Sequence, residues 1–206
     1  MFEKFTEESR AVVLGAVEQA ERAGVASVDD GHLLLALLAL LAQLDEGPGA
    51  GRAAFALTAL GAADRRESIE RALGEARRRG GLSQADTEAL AGLGIDVDEI
   101  VSRVEEAHGA GVLAGAGAAR RGGSGKGGGS GKGGGSGKGL LGRFGRDAKE
   151  VLVKSLRIAT ARRDRVIGGH HILLALTVRP GVTSETLADH GVTYAGLERI
   201  LFGEAS

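Results

Sequence analysis

HLLLAL at residues 32–37 returns with a single change as HILLAL at residues 171–176. The similarity extends to both sides of these blocks, since residues 5–38 can be laid on residues 144–177 without a gap. Phenylalanine meets phenylalanine at the start, and apolar positions spaced as on one face of a helix coincide along the way. The sequence therefore predicts two copies of one helical unit.

A second block supports the duplication, because residues 90–100 match residues 187–197 at a different spacing. Each copy is predicted to hold four helices, with glycines at helix ends and Asp, Ser or Thr at helix starts. The different spacing indicates a helical insertion in the first copy, at about residues 41–80. Residues 57–61 (LTALG) echo residues 90–94 (LAGLG), which is consistent with a partial duplication of the last two helices.

The chain divides accordingly. We assign residues 1–121 to the first repeat with its insertion and residues 140–206 to the second, and we expect the two to form one compact domain. Between them, residues 122–139 read GGSGKGGGSGKGGGSGKG, with 12 glycines in 18 residues. So regular a run of glycine, serine and lysine is typical of an engineered flexible linker, which says nothing about the fold.

This linker imitates a phosphate-binding loop, because it contains G-x-G-x-x-G spacings and three Gly-Lys pairs. A P-loop needs Ser or Thr directly after the Gly-Lys pair, with a strand before it and a helix after it. Glycine instead follows Lys126, Lys132 and Lys138. We therefore expect no nucleotide site here. Since the chain has no Walker motif elsewhere, we also expect no enzyme activity.

The composition excludes several classes of protein. The 26 basic and 27 acidic residues leave a net charge of -1, unlike the basic balance of nucleic-acid-binding domains. Aromatic residues make up 3%, and there is no cysteine for a disulfide or a thiolate site. No apolar run approaches the ~18 residues of a membrane span, and no signal peptide is evident. We expect a cytoplasmic protein that binds neither nucleic acid nor membrane.

Five histidines raise the question of a metal site. His32 and His171 occupy equivalent positions at helix starts, where we expect structural hydrogen-bonding groups. His170 and His171 are adjacent, so their side chains should diverge by about 100° on a helix and could not easily share one ion. Carboxylates such as Asp29 and Asp30 are best explained as helix caps. We therefore predict no metal ion and no cofactor.

The blocks GHLLLALL at 31–38 and HHILLAL at 170–176, with the opening MFEKFT, resemble the Clp N-terminal domain. This family, the double Clp repeat of Clp-type AAA+ unfoldases, carries G-T-E-H-[IL]-L-L-G-L in its second helix, and the opening looks like a ClpC-like, actinobacterial start. The resemblance implies an all-α fold of two four-helix repeats related by a pseudo-twofold axis. It also implies a non-catalytic, chaperone-associated module that docks adaptors and substrates onto the unfoldase.

In some members of the family each repeat binds a phosphorylated arginine, using the glutamate of G-T-E-H and nearby helix-start groups. At the glutamate position this chain has Gly31 in the first copy and His170 in the second, and the helix-start Thr6 is matched by Gly145. A carboxylate can hold a guanidinium by bidentate hydrogen bonds, whereas glycine cannot and histidine has the wrong charge. We therefore expect weak or no phosphoarginine binding at these degenerate positions.

Actinobacterial members can also bind macrocyclic peptide antibiotics near their first residues. By this resemblance, the candidates for a peptide or macrocycle groove are Phe2, Val13, Leu141 and Phe144. The alternative for Phe144 is that it anchors the core, as its equivalent Phe5 would.

Two functions remain open at this point. The first is a protein-binding module that recognises substrates, adaptors or peptide ligands in Clp-dependent proteolysis, with the Clp unfoldase or its substrates and adaptors as partners. The departures at residues 30–31 and 169–170 favour a stand-alone Clp-repeat protein over an excised N-domain. The second is a protein that sequesters or senses hydrophobic cyclic peptide antibiotics directed at the unfoldase.

Overall fold

The computed structural model describes residues 2–43, 51–114 and 142–203. Within these ranges a 3-10 turn (Phe2–Lys4) is followed by ten α-helices. The part before the predicted linker contributes α1 (Glu7–Arg22), α2 (Asp30–Gln43), α3 (Arg52–Ala59), α4 (Arg66–Arg78), α5 (Gln84–Gly92) and α6 (Val97–His108). The part after it contributes α7 (Arg146–Ala161), α8 (Gly169–Val178), α9 (Val182–Asp189) and α10 (Tyr194–Phe202). The predicted all-α fold is confirmed, and the linker itself lies outside the described residues.

The helices begin where the sequence supplies caps. The Thr6 side chain accepts the backbone N–H of Ser9 at 3.2 Å and so caps α1. Thr193 caps α10 in the same way, through the N–H of Gly196 at 3.2 Å. At the start of α7 the cap position is Gly145, which has no side chain to offer. The two leading helices, α1 and α7, therefore differ in how their first turns are satisfied.

Two isolated parallel bridges tie the repeats together. Phe5 pairs with Ile167, and Val28 pairs with Phe144. Four backbone hydrogen bonds between 2.7 and 3.0 Å form these bridges. In the sequence alignment Phe5 is equivalent to Phe144 and Val28 to Ile167, so exchanging the repeats turns one bridge into the other. This reciprocity is what a pseudo-twofold axis between the repeats requires.

Helix packing repeats the same reciprocity. Between the repeats, α1 packs on α8 and α2 on α7, while α3 packs on α10 and α4 on α9. Suppose that α3 corresponds to α9 and α4 to α10. Exchanging the repeats then turns the contact between α1 and α8 into the one between α7 and α2, and the contact between α3 and α10 into the one between α9 and α4. The two four-helix repeats are therefore α1–α4 and α7–α10.

The turns that end α3 and α9 support this equivalence. Each contains a glycine in the left-handed region, Gly61 at φ +71° and Gly191 at φ +79°, where a side chain would be strained. The residue after each glycine donates its N–H to the carbonyl of Leu57 or Leu187, at 2.8 Å in both cases. Both of these leucines are fully buried.

By this equivalence the additional helices of the first repeat are α5 and α6, whereas the sequence analysis placed the insertion at about residues 41–80. Helices α3 and α4 place Leu57 and Ile69 in the core, whereas α5 has no buried residue. The structure shows why the sequence match was misleading. Gly94 ends α5 at φ +80° with the same kind of turn that ends α3 and α9. That local signal alone cannot tell which copy packs in the core.

Ion pairs attach this α5–α6 hairpin to the end of α4. Arg78 donates hydrogen bonds to both carboxylate oxygens of Glu105, at distances from 2.7 to 3.1 Å. Arg79 donates to Asp98 at 3.0 Å. Because one partner of each pair is well exposed to solvent, these ion pairs contribute little to stability.

Helices α2 and α8 form the centre of the core. Residues 169–176 of α8 are buried on all sides, and in α2 Leu33, Leu34 and Leu38 are fully buried. One hydrophobic cluster joins these helices with apolar side chains from both repeats, including Phe5 and Phe144. A helix that is apolar all round belongs in such an interior. No helix in the described ranges is long and apolar enough to cross a membrane.

Candidate functional site

An open groove of about 920 Å³ runs along the outer face of α7. We call it the α7 groove. Val153, which is 42% exposed, gives it an apolar wall, and Phe144 and Pro180 also line it. Its basic side chains are Arg146, Lys149, Lys154, Arg157 and Arg179. The groove therefore combines apolar surface with a strong positive charge.

A single carboxylate, Glu150, neutralises part of this charge. It accepts hydrogen bonds from Arg146 at 2.9 Å and from Arg179 at 3.4 Å. The hydrogen bond from Arg146 is the main reason why the pKa of Glu150 lies below its usual value. Lys149, Lys154 and Arg157 form no ion pair with any residue that the structure describes. These three cations are available to an acidic ligand.

The start of α8 holds a carboxylate from the other repeat. Glu8 of α1 accepts the backbone N–H of Gly169 at 3.1 Å. The approach is so close that a Cβ at Gly169 would lie 2.8 Å from the Glu8 carboxyl carbon, and a Cβ at Gly51 would lie 2.1 Å from its Oε1. Burial raises the pKa of Glu8, although the N–H groups of Gly169 and Ala53 partly offset the increase. The Glu8 carboxyl group thus satisfies one N–H at the start of α8 and also lies beside Gly51 at the start of α3, although its Oε1 has no hydrogen-bond partner among the described residues.

The equivalent place at the start of α2 is filled by an arginine as well as a carboxylate. Asp147 is the counterpart of Glu8, and Arg179 bridges it to Asp30, with 2.8 Å to the Asp30 Oδ2. Burial, together with the neighbouring carboxylate of Asp29, raises the pKa of Asp30 against the influence of Arg179. The site is therefore already occupied by the chain's own guanidinium.

All four degenerate phosphoarginine positions lie within the described residues. Thr6 serves as the α1 cap. At Gly31 an added Cβ would lie 2.9 Å from Nη2 of Arg77, which forms an ion pair with Asp29. At Gly145 an added Cβ would lie 2.9 Å from the hydroxyl of Ser27 and 3.2 Å from the Val28 carbonyl. His170 is 6% exposed. None of the four presents a carboxylate to solvent, in keeping with the expected loss of phosphoarginine binding, which stays a prediction.

The structure separates the four candidates for a peptide or macrocycle groove. Val13 and Phe144 are 1% and 2% exposed and belong to the core, so neither offers its whole side chain to a ligand. Phe144 nevertheless lines the α7 groove from below. The side chain of Phe2 and all of Leu141 lie outside the described residues. The alternative interpretation of Phe144, as a core anchor equivalent to Phe5, agrees with its burial.

His32 and His171 act as the predicted hydrogen-bonding groups. The N–H of Asp29 donates to Nδ1 of His32 at 3.1 Å, and the N–H of Gly168 donates to Nδ1 of His171 at 3.0 Å. Asp29 in turn accepts the His32 N–H at 2.9 Å, which completes a reciprocal cap on α2. Burial alone would raise the pKa of Asp29, but the hydrogen bond to His32 and the charge of Arg77 hold it well below its usual value.

One sequence argument about the histidines is wrong. The rings of His170 and His171 do not diverge, since their centroids lie 4.0 Å apart, and a nitrogen from each lies within 4.8 Å of an Asp164 oxygen. The trio still suits a metal ion poorly. The N–H of Gly168 leaves the proton of His171 on Nε2, which faces Asp164 at 2.9 Å, and the cations of Arg52 and Arg162 lie close by.

His170 itself is neutral at physiological pH. Burial, followed by the neighbouring His171, lowers its pKa to about 3. Neither ring nitrogen finds a hydrogen-bond partner among the described residues. The His170 ring instead makes a T-shaped contact with Phe202, with the ring centroids 6.2 Å apart. The guanidinium of Arg162 lies over the Phe202 ring, 3.3 Å from its centroid. His170 thus behaves as a core residue.

Sequence reasoning missed the α7 groove, although part of its signal was readable. Arg146, Lys149, Lys154 and Arg157 recur at helical spacing around Val153. Arg179 could not be placed there from the sequence, because it comes from the end of α8, 22 residues beyond Arg157.

No protein-family model matches the chain, and no curated protein matches its sequence. Among solved structures, it is similar to the crystal structure of the N-terminal domain of the caseinolytic protease associated chaperone ClpD from Arabidopsis thaliana. The sequence identity is 16%, the alignment covers 98% of this chain and 94% of that chain, and the TM-score is 0.47.

Proposed function

We propose that the chain is a non-catalytic protein-binding module of the double-Clp-repeat type. It recognises substrates, adaptors or peptide ligands in Clp-dependent proteolysis, and it does so as a stand-alone Clp-repeat protein in the cytoplasm. The duplicated histidine-led helix and the reciprocal packing of the two four-helix repeats support the assignment to this type. The departures at residues 30–31 and 169–170 support the stand-alone role.

The observation that carries the binding function is the α7 groove. Three cations without an acidic partner among the described residues, Lys149, Lys154 and Arg157, surround the exposed side chain of Val153. Such a surface attracts carboxylates at long range and gains further free energy by covering apolar area. We propose that its ligand is a segment of a partner protein that combines acidic and large apolar residues.

Binding can be measured by fluorescence anisotropy with a labelled peptide built from glutamate and leucine. We expect the affinity to fall as NaCl rises from about 50 to about 500 mM, because salt screens the ion pairs. Replacing Lys149 and Arg157 together by glutamate should weaken binding at least about tenfold, since each reversal changes attraction into repulsion. Arg22→Glu is a control for charge reversal outside the groove, because this exposed arginine lies on α1. Equal binding by the double variant and the control would refute the assignment of the groove.

The alternative function, sequestration of a hydrophobic cyclic peptide, is favoured by one observation. The volume of the groove is in the range of small-ligand sites, and Val153 and Phe144 give it apolar surface. A thermal-shift series with an uncharged apolar cyclic peptide separates the two functions. At about 1 M NaCl ionic attraction is screened. A shift that persists there, and that Val153→Ser removes, would favour sequestration over recognition of acidic segments.

Phosphoarginine provides a further test. Because Arg77 covers Gly31 and Arg179 already bridges Asp30 and Asp147, we expect no measurable heat when free phosphoarginine is titrated into the protein. Binding in the micromolar range by calorimetry would show that the degenerate positions have not lost this ligand.

A further inference from the structure

The α5–α6 hairpin (residues 84–108) complements the α7 groove in charge. It contains seven carboxylates and one arginine, Arg103. Ion pairs with Arg78 and Arg79 of α4 and with Arg103 involve three of these carboxylates, so four remain without a basic partner in the described residues. The hairpin is therefore acidic where the groove is basic.

The hairpin also exposes an unusual amount of apolar surface. Leu93 is 77% exposed, Ile100 49% and Ile95 39%. All three fall within eight consecutive residues around the turn between α5 and α6. Single exposed apolar residues are common, but three large ones in one short acidic segment indicate a surface that another protein covers. Acidic charge and exposed apolar side chains are the two properties that we propose for a ligand of the α7 groove.

The four-helix repeats do not need this hairpin for their core. Among its residues only Val97 and Val101 are buried hydrophobics, and neither belongs to the hydrophobic cluster that joins the repeats. The hairpin is fixed to the end of α4, whereas the groove is formed by α7 with Ser27, Arg179 and Pro180. Each molecule thus carries both halves of a complementary pair on separate elements.

We propose that the α5–α6 hairpin of one molecule docks in the α7 groove of a second copy of this chain. The contact is head to tail, since different surfaces of the two copies meet. It leaves one free groove and one free hairpin at the ends of every open assembly. The inference rests on the proposed function of the groove and names a competitor for it: a partner protein must displace the second copy. Self-association then lowers the apparent affinity for acidic ligands as the protein concentration rises.

Sedimentation velocity of the full chain tests the proposal. We expect species heavier than the 20.9 kDa monomer at about 50 mM NaCl and protein concentrations of about 100 µM, and monomers at about 500 mM NaCl. Replacing Glu88 and Glu106 by lysine reverses charge on the hairpin, and replacing Lys149 and Arg157 by glutamate reverses charge on the groove. Each double variant alone should be monomeric, with at least about a tenfold loss of association.

Mixing the two variants provides the decisive measurement. The unaltered hairpin of the second variant can dock in the unaltered groove of the first, and the basic hairpin of the first can dock in the acidic groove of the second, so an equimolar mixture should regain a heterodimer. A variant with Glu3→Lys and Glu67→Lys carries the same charge change on exposed sites elsewhere and should associate like the parent chain. Circular dichroism of each variant verifies that it is folded, and Leu93→Ser with Ile100→Ser tests the apolar contribution without altering charge.

The outcomes separate this inference from the proposed function. A monomeric parent chain at every concentration and salt, or a mixture that fails to form the heterodimer while both variants are folded, would overturn self-docking. If the groove still binds the glutamate–leucine peptide in that case, the protein-binding function stands. Loss of both peptide binding and self-association would overturn both.

Discussion

The two repeats share one backbone arrangement but differ at many of the charged positions around it. At the start of α8, the carboxyl group of Glu8 accepts a backbone N–H, whereas at the start of α2 its counterpart Asp147 forms an ion pair with Arg179. The outer face of α7 is basic, while α1 has Glu7 and Glu18 at the positions of Arg146 and Arg157. Apolar packing and the backbone bridges therefore maintain the symmetry, while polar positions have diverged and give one repeat the groove.

Removing one of the two equivalent core phenylalanines should have the largest effect on stability. Phe144→Ala deletes a ring that is 2% exposed beside one of the bridges, and we expect the free energy of unfolding to fall by about 3–5 kcal/mol. Phe5→Ala in the other repeat should cost a similar amount if the two anchors are equivalent. Phe55→Ala, at a site 59% exposed, is the control and should stay within about 0.5 kcal/mol. Urea denaturation measures all three, and a loss at Phe144 no larger than at Phe55 would contradict the shared backbone arrangement.

The two helix-start sites should respond unequally to loss of charge. Arg179→Met leaves Asp30 and Asp147 buried without their guanidinium, which we expect to cost about 3–5 kcal/mol. Glu8→Gln should cost less, because Glu8 forms no ion pair among the described residues and burial already raises its pKa. Adding Asp30→Asn to Arg179→Met should recover part of the loss. Equal destabilisation by Arg179→Met and Glu8→Gln in urea denaturation would mean that the arginine contributes nothing specific.

Acid should destabilise the second repeat through its histidine pair. The pKa of His170 is lowered to about 3 and that of His171 is also lowered, mainly by burial. Below pH 6.5 both histidines take up protons in the unfolded chain but not in the folded chain. The free energy of unfolding therefore falls as the pH drops from 6.5 towards the folded-state pKa. Each histidine contributes up to about 1.4 kcal/mol per pH unit. In His170→Leu the decline between pH 6.5 and 5 should be shallower, and an unchanged slope would be evidence against a neutral buried His170.

The smallest expected effect concerns the loops that precede α2 and α8. Gly24 has φ +67°, and its counterpart Arg163 adopts the same left-handed conformation at φ +61° despite its side chain. Arg163→Gly should stabilise the protein by about 0.5–1 kcal/mol by relieving this strain, and Gly24→Ala should destabilise it by a similar amount. A stability loss in Arg163→Gly would show that the arginine side chain makes a compensating contact.

Local sequence signals predicted the elements well and their packing less well. The duplicated histidine block identified α2 and α8, the two helices at the centre of the core, because a fully apolar helix can only be buried. The Leu–Gly turn failed as a guide, since it recurs at Gly61, Gly94 and Gly191 with the same backbone bond, and only two of the three helices that it ends pack into the core. Which copy is buried depends on residues such as Leu57, whose contacts are set by distant helices.

The candidate site, too, was predictable from the sequence only in part. The spacing of cations along α7 is a helical pattern that a sequence displays, but Arg179 and Ser27 join them only through the tertiary fold. The prediction that the side chains of His170 and His171 diverge was also wrong, because it ignored tertiary contacts. Packing against Phe202 and the hydrogen bond to Asp164 bring their rings together.

The reciprocal bridges constrain the order of events during synthesis. Ser9 donates its hydroxyl hydrogen bond to the carbonyl of Ile167 at 2.6 Å, across 158 residues of chain. At a translation rate of about 5–20 residues per second, the opening of the first repeat therefore waits roughly 8–30 s for its partner to be made. During that interval the apolar face of α1 and the all-apolar α2 have no second repeat to cover them. Until the second repeat is made, a nascent chain therefore exposes apolar surface of the kind that makes folding intermediates prone to aggregation.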